Sequence, residues 1–170
     1  MTTKTLMSAE EFLNLPDEPG KQELLDGELI AVPPAKLTHI QVIKNVHELL
    51  RTILPKERVW VEAGYQLGTR GWLQPDVSVS WPDQRVENDW MQRAPMIAIE
   101  VISPANRPEH IDKKTAAYLD QGAAEVWVIY PDTPSMSVFR KESWERVTER
   151  YESRLLGVTV SLSELIRRAD

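Results

Sequence analysis

The chain has 170 residues, of which 42% are hydrophobic and 27% charged, a balance typical of globular proteins. This length supports an ordinary hydrophobic core, and we expect a single domain over residues 1–170. The net charge of −6 argues against broad attraction to a polyanion, although it leaves room for a local basic groove or an acidic metal site.

Local signals predict a short helix and then a β-hairpin near the start of the chain. Ser8 and Glu11 form an S-x-x-E capping box, which predicts a helix over about 9–15 that ends before the next proline. The segment QELLDGELIAV predicts two strands, because Asp26 and Gly27 make a dipeptide favoured in tight hairpin turns.

A longer amphipathic helix is predicted next, with Thr38 as its candidate cap. One face of this helix collects the apolar side chains Ile40, Ile43, Val46, Leu50 and Leu54. His39 and His47 lie on the same side, where a histidine is more often a core residue than a ligand.

The middle of the chain predicts a β-α-β unit. RVWVEAGYQL and DVSVSW are rich in β-branched and aromatic residues, and MIAIEVI is the continuous apolar run expected of a central strand. A helix from about Glu109 to Gln121, ended by Gly122, then leads to the strand EVWVIY. The two flanking strands should therefore be parallel, with a right-handed crossover.

The last third predicts an antiparallel pair, SMSVFRK with WERVTERY, and a C-terminal helix SELIRRA capped by Ser161 or Ser163. The predicted fold class is therefore α/β or α+β, a mixed β-sheet flanked by helices.

The sequence contains no cysteine, which excludes disulfides and thiolate metal sites. No apolar run approaches the roughly 20 residues of a membrane span. Residues 1–12 lack the basic start and apolar stretch of a secretory signal. These features predict a cytoplasmic protein without a membrane partner.

Glu100 is the most informative acidic residue because it lies inside an apolar strand. Its strand face is shared with Met96, Ala98 and Ile102, and an unpaired carboxylate there would cost several kcal/mol of desolvation. It needs a cation, a hydrogen-bond donor or a shifted pKa. A structural salt bridge or a strand with one solvated face is the alternative.

Asp76 gains meaning from its pairing with Glu100. Alone, an aspartate after a proline more often serves a turn. Two carboxylates from neighbouring strands can instead share Mg²⁺, leaving other positions for water and a phosphate oxygen. Glu23 could supply a third oxygen, although solvated hairpin glutamates are commoner. No zinc, P-loop, dinucleotide or nucleophile-elbow motif is present in the sequence.

The tryptophans fall into two groups. Trp60 and Trp127 lie in apolar strands, which predicts core or interface packing. Trp72, Trp81 and Trp90 lie in the loop-rich middle, where they could line a groove or a subunit contact.

The order of several segments resembles the Uma-two family of restriction endonucleases, a branch of the PD-(D/E)XK nuclease superfamily. The segments are ELLDGELI, a histidine opening a helix, PDVSV, IEVISP and KKTAAYLDQGAAEVWVIYP. The resemblance implies a restriction-endonuclease-like fold and Mg²⁺-dependent hydrolysis of DNA phosphodiester bonds, with Mn²⁺ as a substitute. The matching positions are Glu23, Asp76, Glu100 and Lys114 as catalytic residues, with His39 and Tyr118 as accessories.

The chain departs from that pattern at two places. Gln22 replaces the aromatic residue that often precedes the first glutamate, and the lysine position of (D/E)XK is Ile102. The resemblance implies that the lysine has moved to a K-x-x-x-Y pattern on the next helix, Lys114 with Tyr118. At 100° per residue Lys114 lies beside Tyr118 near the buried side, and Lys113 lies on the far side.

These inferences predict a homodimeric DNA endonuclease in which Asp76 and Glu100 hold the metal. Lys114 would orient or activate water, or stabilise charge on the phosphate. A dimer is expected because duplex cleavage needs two strands cut. The alternatives are a catalytically inactive nuclease-fold binding module and a metal-dependent hydrolase of a small phosphoester.

Overall fold

The computed structural model describes residues 5–169. Its helices are α1 (Ala9–Leu13), α2 (Leu37–Ile53), α3 (Pro108–Asp120) and α4 (Leu162–Leu165). Its strands are β1 (Lys21–Leu25), β2 (Glu28–Val32), β3 (Val59–Val61), β4 (Tyr65–Gln66), β5 (Trp72–Leu73), β6 (Val77–Val79), β7 (Val86–Glu87), β8 (Trp90–Gln92), β9 (Ile97–Val101), β10 (Glu125–Tyr130), β11 (Ser135–Phe139), β12 (Trp144–Val147), β13 (Arg150–Ser153) and β14 (Val158–Ser161). Within this range no helix is both long and apolar enough to span a membrane.

The strands of the described residues form two six-stranded sheets and one two-stranded sheet. The first has the order β2-β1-β5-β4-β8-β7, the second β12-β11-β10-β9-β6-β3, and β13 pairs with β14. Both larger sheets are mixed, since β4 runs parallel to β8 and β9 parallel to β10. The predicted fold class and the parallel crossover through α3 are confirmed.

The first two predicted elements are present. The capping box holds the start of α1, with Glu11 N–H donating to Ser8 Oγ at 3.1 Å and Ser8 N–H donating to Glu11 Oε2 at 2.7 Å. The hairpin turn has positive φ at both Asp26 and Gly27, 52° and 81°, as a primed two-residue turn requires.

The second sheet separates the apolar core from the face that carries the site. Ile97, Ile99 and Val101 of β9 pack in the cluster formed with α2 and α4, whereas Ala98 packs in the cluster formed with α3. Side chains alternate along a strand, so Glu100 lies on the α3 face with Ala98. Met96 precedes the strand and packs in the α2 cluster, so the prediction that it shares the face of Glu100 is wrong.

Two expectations about α2 are wrong. Its N-cap is Lys36, and Thr38 lies inside the first turn. Ile40 is 40% exposed, and the buried residues of the helix begin with Val42 and Ile43.

The last third differs from the sequence expectation at one turn. β12 pairs with β11 as predicted, but the chain turns after Val147 and the second half of WERVTERY becomes β13, paired with β14. Ser161 is the N-cap of α4, although its side chain makes no capping hydrogen bond.

Burial of the tryptophans follows strand position. Trp127 is fully buried in β10, whereas Trp60 is 40% exposed because β3 is an edge strand. Core packing is therefore wrong for Trp60, and the alternative, interface packing, stays a prediction. Trp72 is buried against Phe12 and Trp90, with ring centroids 5.1 and 5.3 Å away. The groove or subunit contact predicted for Trp72 is therefore wrong.

Candidate active site

Strand pairing brings Asp76 and Glu100 together. Val77 of β6 pairs with Ile99 of β9, so the next position places Asp76 beside Glu100. Asp76 Oδ2 accepts a hydrogen bond from the Val101 N–H at 2.7 Å, which ties the end of one strand to the other. Both carboxylates are buried. A third buried carboxylate, Glu23 of β1, completes what we call the acidic cluster: Glu23, Asp76 and Glu100.

Lys114 connects two members of the acidic cluster from above the sheet. Its Nζ lies 2.7 Å from Glu100 Oε1 and 2.9 Å from Glu23 Oε2. Lys113 lies on the solvent side of α3 and pairs with Glu109 at 2.8 Å. The orientation predicted for the two lysines from helical spacing agrees with these contacts. The role of Lys114 in catalysis stays a prediction.

Tyr118 holds the same oxygen of Glu100 that Lys114 contacts. Its hydroxyl donates to Glu100 Oε1 at 2.8 Å, and its ring is fully buried one turn after Lys114. Both contacts fall on Oε1, so they fix the rotation of the carboxylate. The accessory position that the sequence assigned to Tyr118 is thus in direct contact with Glu100.

Glu23 is buried, at 1% exposure, so the alternative of a solvated hairpin glutamate is wrong. The reason is long-range: β1 pairs with β5, and α3 covers the same face. Glu23 Oε1 accepts from the backbone N–H of Gln74 at 2.8 Å and lies 3.2 Å from Lys114 Nζ. With Oε2 also on Lys114, both oxygens of Glu23 are engaged by protein donors.

His39 approaches the acidic cluster from the first turn of α2. Its Nε2 lies 3.4 Å from Asp76 Oδ1. Its Nδ1 is buried and has no hydrogen-bond partner among the residues that the structure describes. The side chain therefore adjoins Asp76 and is not an ordinary satisfied core histidine.

The pKa values of Glu100 and Asp76 are shifted in opposite directions. Burial raises the pKa of Glu100 to about 7, Lys114 opposes the rise, and the charges of Asp76 and Glu23 add to it. Burial opposes ionisation of Asp76 too, but His39, Lys21 and the Val101 N–H bring its pKa below the ordinary value. Asp76 is therefore the more strongly ionised of the pair.

The charges of the cluster act back on the two α3 side chains. Burial alone would lower the pKa of Lys114, yet Glu100 and Glu23 raise it, so the ammonium stays charged. Burial and the same carboxylates raise the pKa of Tyr118 well above its usual value, so its hydroxyl remains a donor.

The donor set at Asp76 and Glu100 fits a hard divalent cation. No three His, Asp or Glu side chains of residues 5–169 are grouped closely enough to hold a metal by themselves. Mg²⁺, however, is commonly bound through one or two carboxylates, with water and substrate oxygens in the other positions. The cluster has three buried carboxylates, and the Lys114 ammonium contacts two of them, Glu23 and Glu100. Both oxygens of Glu23 already accept from protein donors, Lys114 and the Gln74 N–H, and its role as a third ligand stays a prediction.

Sequence reasoning missed two contributors to this region. Lys21 donates to the Gln74 carbonyl at 2.9 Å, and its period-two spacing from Glu23 on a strand was a usable signal. Gln74 acts through its backbone, which no side-chain pattern reveals.

A mixed sheet with two acids on adjacent strands, covered by a helix that carries a lysine, matches the restriction-endonuclease-like fold that the sequence resemblance implied. A crystal structure of a protein from Anabaena variabilis, described as a putative nuclease belonging to DUF820, superposes with a TM-score of 0.82 at 22% identity and covers 94% of this chain and 97% of its own. No functionally curated protein matches the chain.

The family model Uma2, described as "Putative restriction endonuclease", matches residues 9–168. This match spans nearly the whole sequence, and the chain belongs to the Uma2 family. The resemblance found in the sequence segments is thereby confirmed.

Proposed function

We propose that this protein is a divalent-metal-dependent endonuclease that hydrolyses phosphodiester bonds of DNA. Membership of a family described as restriction endonucleases supports nuclease function in general. The observation that carries the finer proposal is the pair of buried carboxylates, Asp76 and Glu100, which lie side by side on antiparallel strands. A buried lysine from α3, Lys114, contacts Glu100.

Asp76 and Glu100 would hold the cation, Mg²⁺ or its substitute Mn²⁺. A divalent cation bound there supplies Lewis acidity towards the phosphate and lowers the pKa of a water molecule. Asp76 suits this role because its pKa is lowered. Glu100 suits it because a nearby cation would favour ionisation of a carboxyl group whose pKa burial has raised.

The remaining side chains of the site orient these groups. Lys114 would present a positive charge to the phosphate or to the attacking water, as pre-organised donors do in low-dielectric sites. Glu23 holds Lys114 through two contacts of 2.9 and 3.2 Å and so acts on its position. Tyr118 fixes Oε1 of Glu100, and His39 adjoins Oδ1 of Asp76.

A second candidate is a nuclease-fold module that binds without cutting. The observation favouring it is the double ion pair of Lys114, which satisfies Glu100 Oε1 without any metal. A cluster closed in this way could serve stability alone, although removing one partner of a buried pair is costly in either case.

Plasmid cleavage separates the two candidates. Supercoiled plasmid is incubated with the wild type and with the double variant Asp76→Asn/Glu100→Gln, in Mg²⁺, in Mn²⁺ and in EDTA. The nuclease proposal predicts nicked or linear products from the wild type with metal only, and none from the double variant. Cleavage by neither protein, on single-stranded and duplex DNA alike, would contradict the proposal.

A cytoplasmic location and a homodimeric state complete the proposal. The absence of cysteine suits a reducing compartment, and a two-fold pair of sites suits the two strands of a duplex.

A further inference from the structure

A second lysine, Lys21, lies at the margin of the acidic cluster. It precedes Glu23 by two positions in β1, so both side chains leave the same face of the strand. Its Nζ donates to the Gln74 carbonyl at 2.9 Å, while the Gln74 N–H donates to Glu23. One backbone unit, two residues before Asp76, thus holds both side chains.

The two lysines near the cluster differ in how fully they are engaged. Lys114 contacts two buried carboxylates at 2.7 and 2.9 Å. Lys21 has one carbonyl and a longer contact of 3.4 Å to Glu62, whose side chain is 55% exposed. An ammonium has three donors, and an exposed ion pair of this kind contributes little stability. The charge of Lys21 is therefore available to an anion that arrives from solvent.

The charge of Lys21 also reaches the acids of the site. It is one of the causes that hold the pKa of Asp76 below its ordinary value, after the opposing effect of burial and the contact with His39. An anion bound near Asp76 would therefore feel the same charge.

We propose that Lys21 binds the phosphodiester backbone of nucleic acid beside the bond that is cut. This inference rests on the nuclease function proposed above and gives Lys21 a binding role. Its ammonium keeps the Gln74 carbonyl and exchanges Glu62 for a phosphate oxygen. Because the chain is acidic overall, with 26 acidic and 20 basic residues, a lysine at the site has a large share in attracting the backbone.

Salt-dependent binding of a labelled DNA duplex in EDTA tests this role without any metal or cleavage. Lys21→Met is compared with Lys141→Met, which removes the same charge from the exposed turn between β11 and β12. That turn follows Phe139, which pairs with Val126 near the other end of the sheet from Glu100.

Loss of one phosphate contact should weaken binding about tenfold and reduce the slope of log K against log salt by about 1. Lys141→Met should change neither quantity. Lys21→Arg, which keeps the charge, should restore the slope. The single variant Glu62→Gln should bind the duplex about twofold more tightly than the wild type, because Lys21 loses its competing partner. In the Lys21→Met background, Glu62→Gln should have no effect on binding.

An unchanged slope in Lys21→Met, or an equal loss in Lys141→Met, overturns the role of Lys21. If the wild type cuts plasmid in that case, the nuclease proposal still stands. A wild type that neither binds nor cuts DNA overturns both proposals. Thermal unfolding of each variant shows whether a loss of binding reflects a loss of fold, and the Lys21→Arg variant decides the matter if Lys21→Met is unfolded.

Discussion

Lys114 and Glu100 form an ion pair of 2.7 Å that joins α3 to β9. The position where a (D/E)XK strand carries its lysine is Ile102, which packs in the α3 cluster. The Lys114 ammonium instead reaches the Glu100 carboxylate from α3, the helix that follows β9. This arrangement lets β9 remain apolar apart from Glu100, because the charge comes from an adjacent layer.

Metal binding should depend on the two strand carboxylates. We expect Mn²⁺ to bind the wild type in a calorimetric titration and the Asp76→Asn/Glu100→Gln double variant to bind it at least about tenfold more weakly, since both hard oxygen donors lose their charge. Glu23→Gln should retain most of the affinity, because Lys114 and Gln74 already engage this side chain. Equal affinity in the wild type and the double variant would disprove the site.

Removing the hydroxyl of Tyr118 should test its positioning role. Tyr118→Phe keeps the buried ring but deletes the 2.8 Å hydrogen bond to Glu100, so we expect a stability loss of about 1–2 kcal/mol. Cleavage should fall through kcat, with KM little changed, because the hydroxyl contacts Glu100 and its proposed role is to position that carboxylate. Denaturant unfolding and steady-state cleavage measure the two effects. A variant with normal kcat would show that Tyr118 has a structural role alone.

Stability without metal should decline with pH because of Glu100. Its pKa rises from an ordinary 4.5 to about 7 in the folded protein, so the folded state binds more protons than the unfolded chain between these values. The stabilising contribution is full below pH 4.5 and is lost as pH rises through about 7. Asp76, whose pKa is lowered, has the opposite effect at more acidic pH.

Melting curves in EDTA from pH 5 to 8 measure this effect. The wild type should lose stability relative to Glu100→Gln as pH rises, because the glutamine cannot ionise. Parallel profiles for the two proteins would show that Glu100 ionises at an ordinary pH.

The local elements were accessible from the sequence where one residue type dictates the backbone. The Asp26 and Gly27 turn, the Ser8 capping box and the face of α3 that holds Lys114 depend on neighbours within a few positions. The site was accessible to the extent that Glu100 stands out in an apolar strand. These features are local, so they can be predicted without knowledge of the tertiary fold.

The rest depends on partners far apart in the chain. Burial of Glu23 follows from the pairing of β1 with β5 about fifty residues away and from the cover of α3. Trp60 belongs to β3, which has the composition of a core strand but lies at the edge of its sheet. No periodicity distinguishes a central strand from an edge strand when both are apolar.

A homodimer is the expected assembly of the active protein. Light scattering should give about twice the monomer mass of 19.5 kDa at working concentration. The monomer mass over the whole concentration range used for cleavage would contradict this expectation.

The most direct test of the relocated lysine is plasmid cleavage in Mg²⁺ by Lys114→Met and Lys113→Met. These adjacent variants remove the same charge from one helix, but only Lys114 contacts the acidic cluster. Lys114→Met should abolish cleavage while retaining the fold and most of the Mn²⁺ affinity, and Lys113→Met should cut at nearly the wild-type rate. Equal losses in the two variants, or wild-type cleavage by Lys114→Met, would contradict the account.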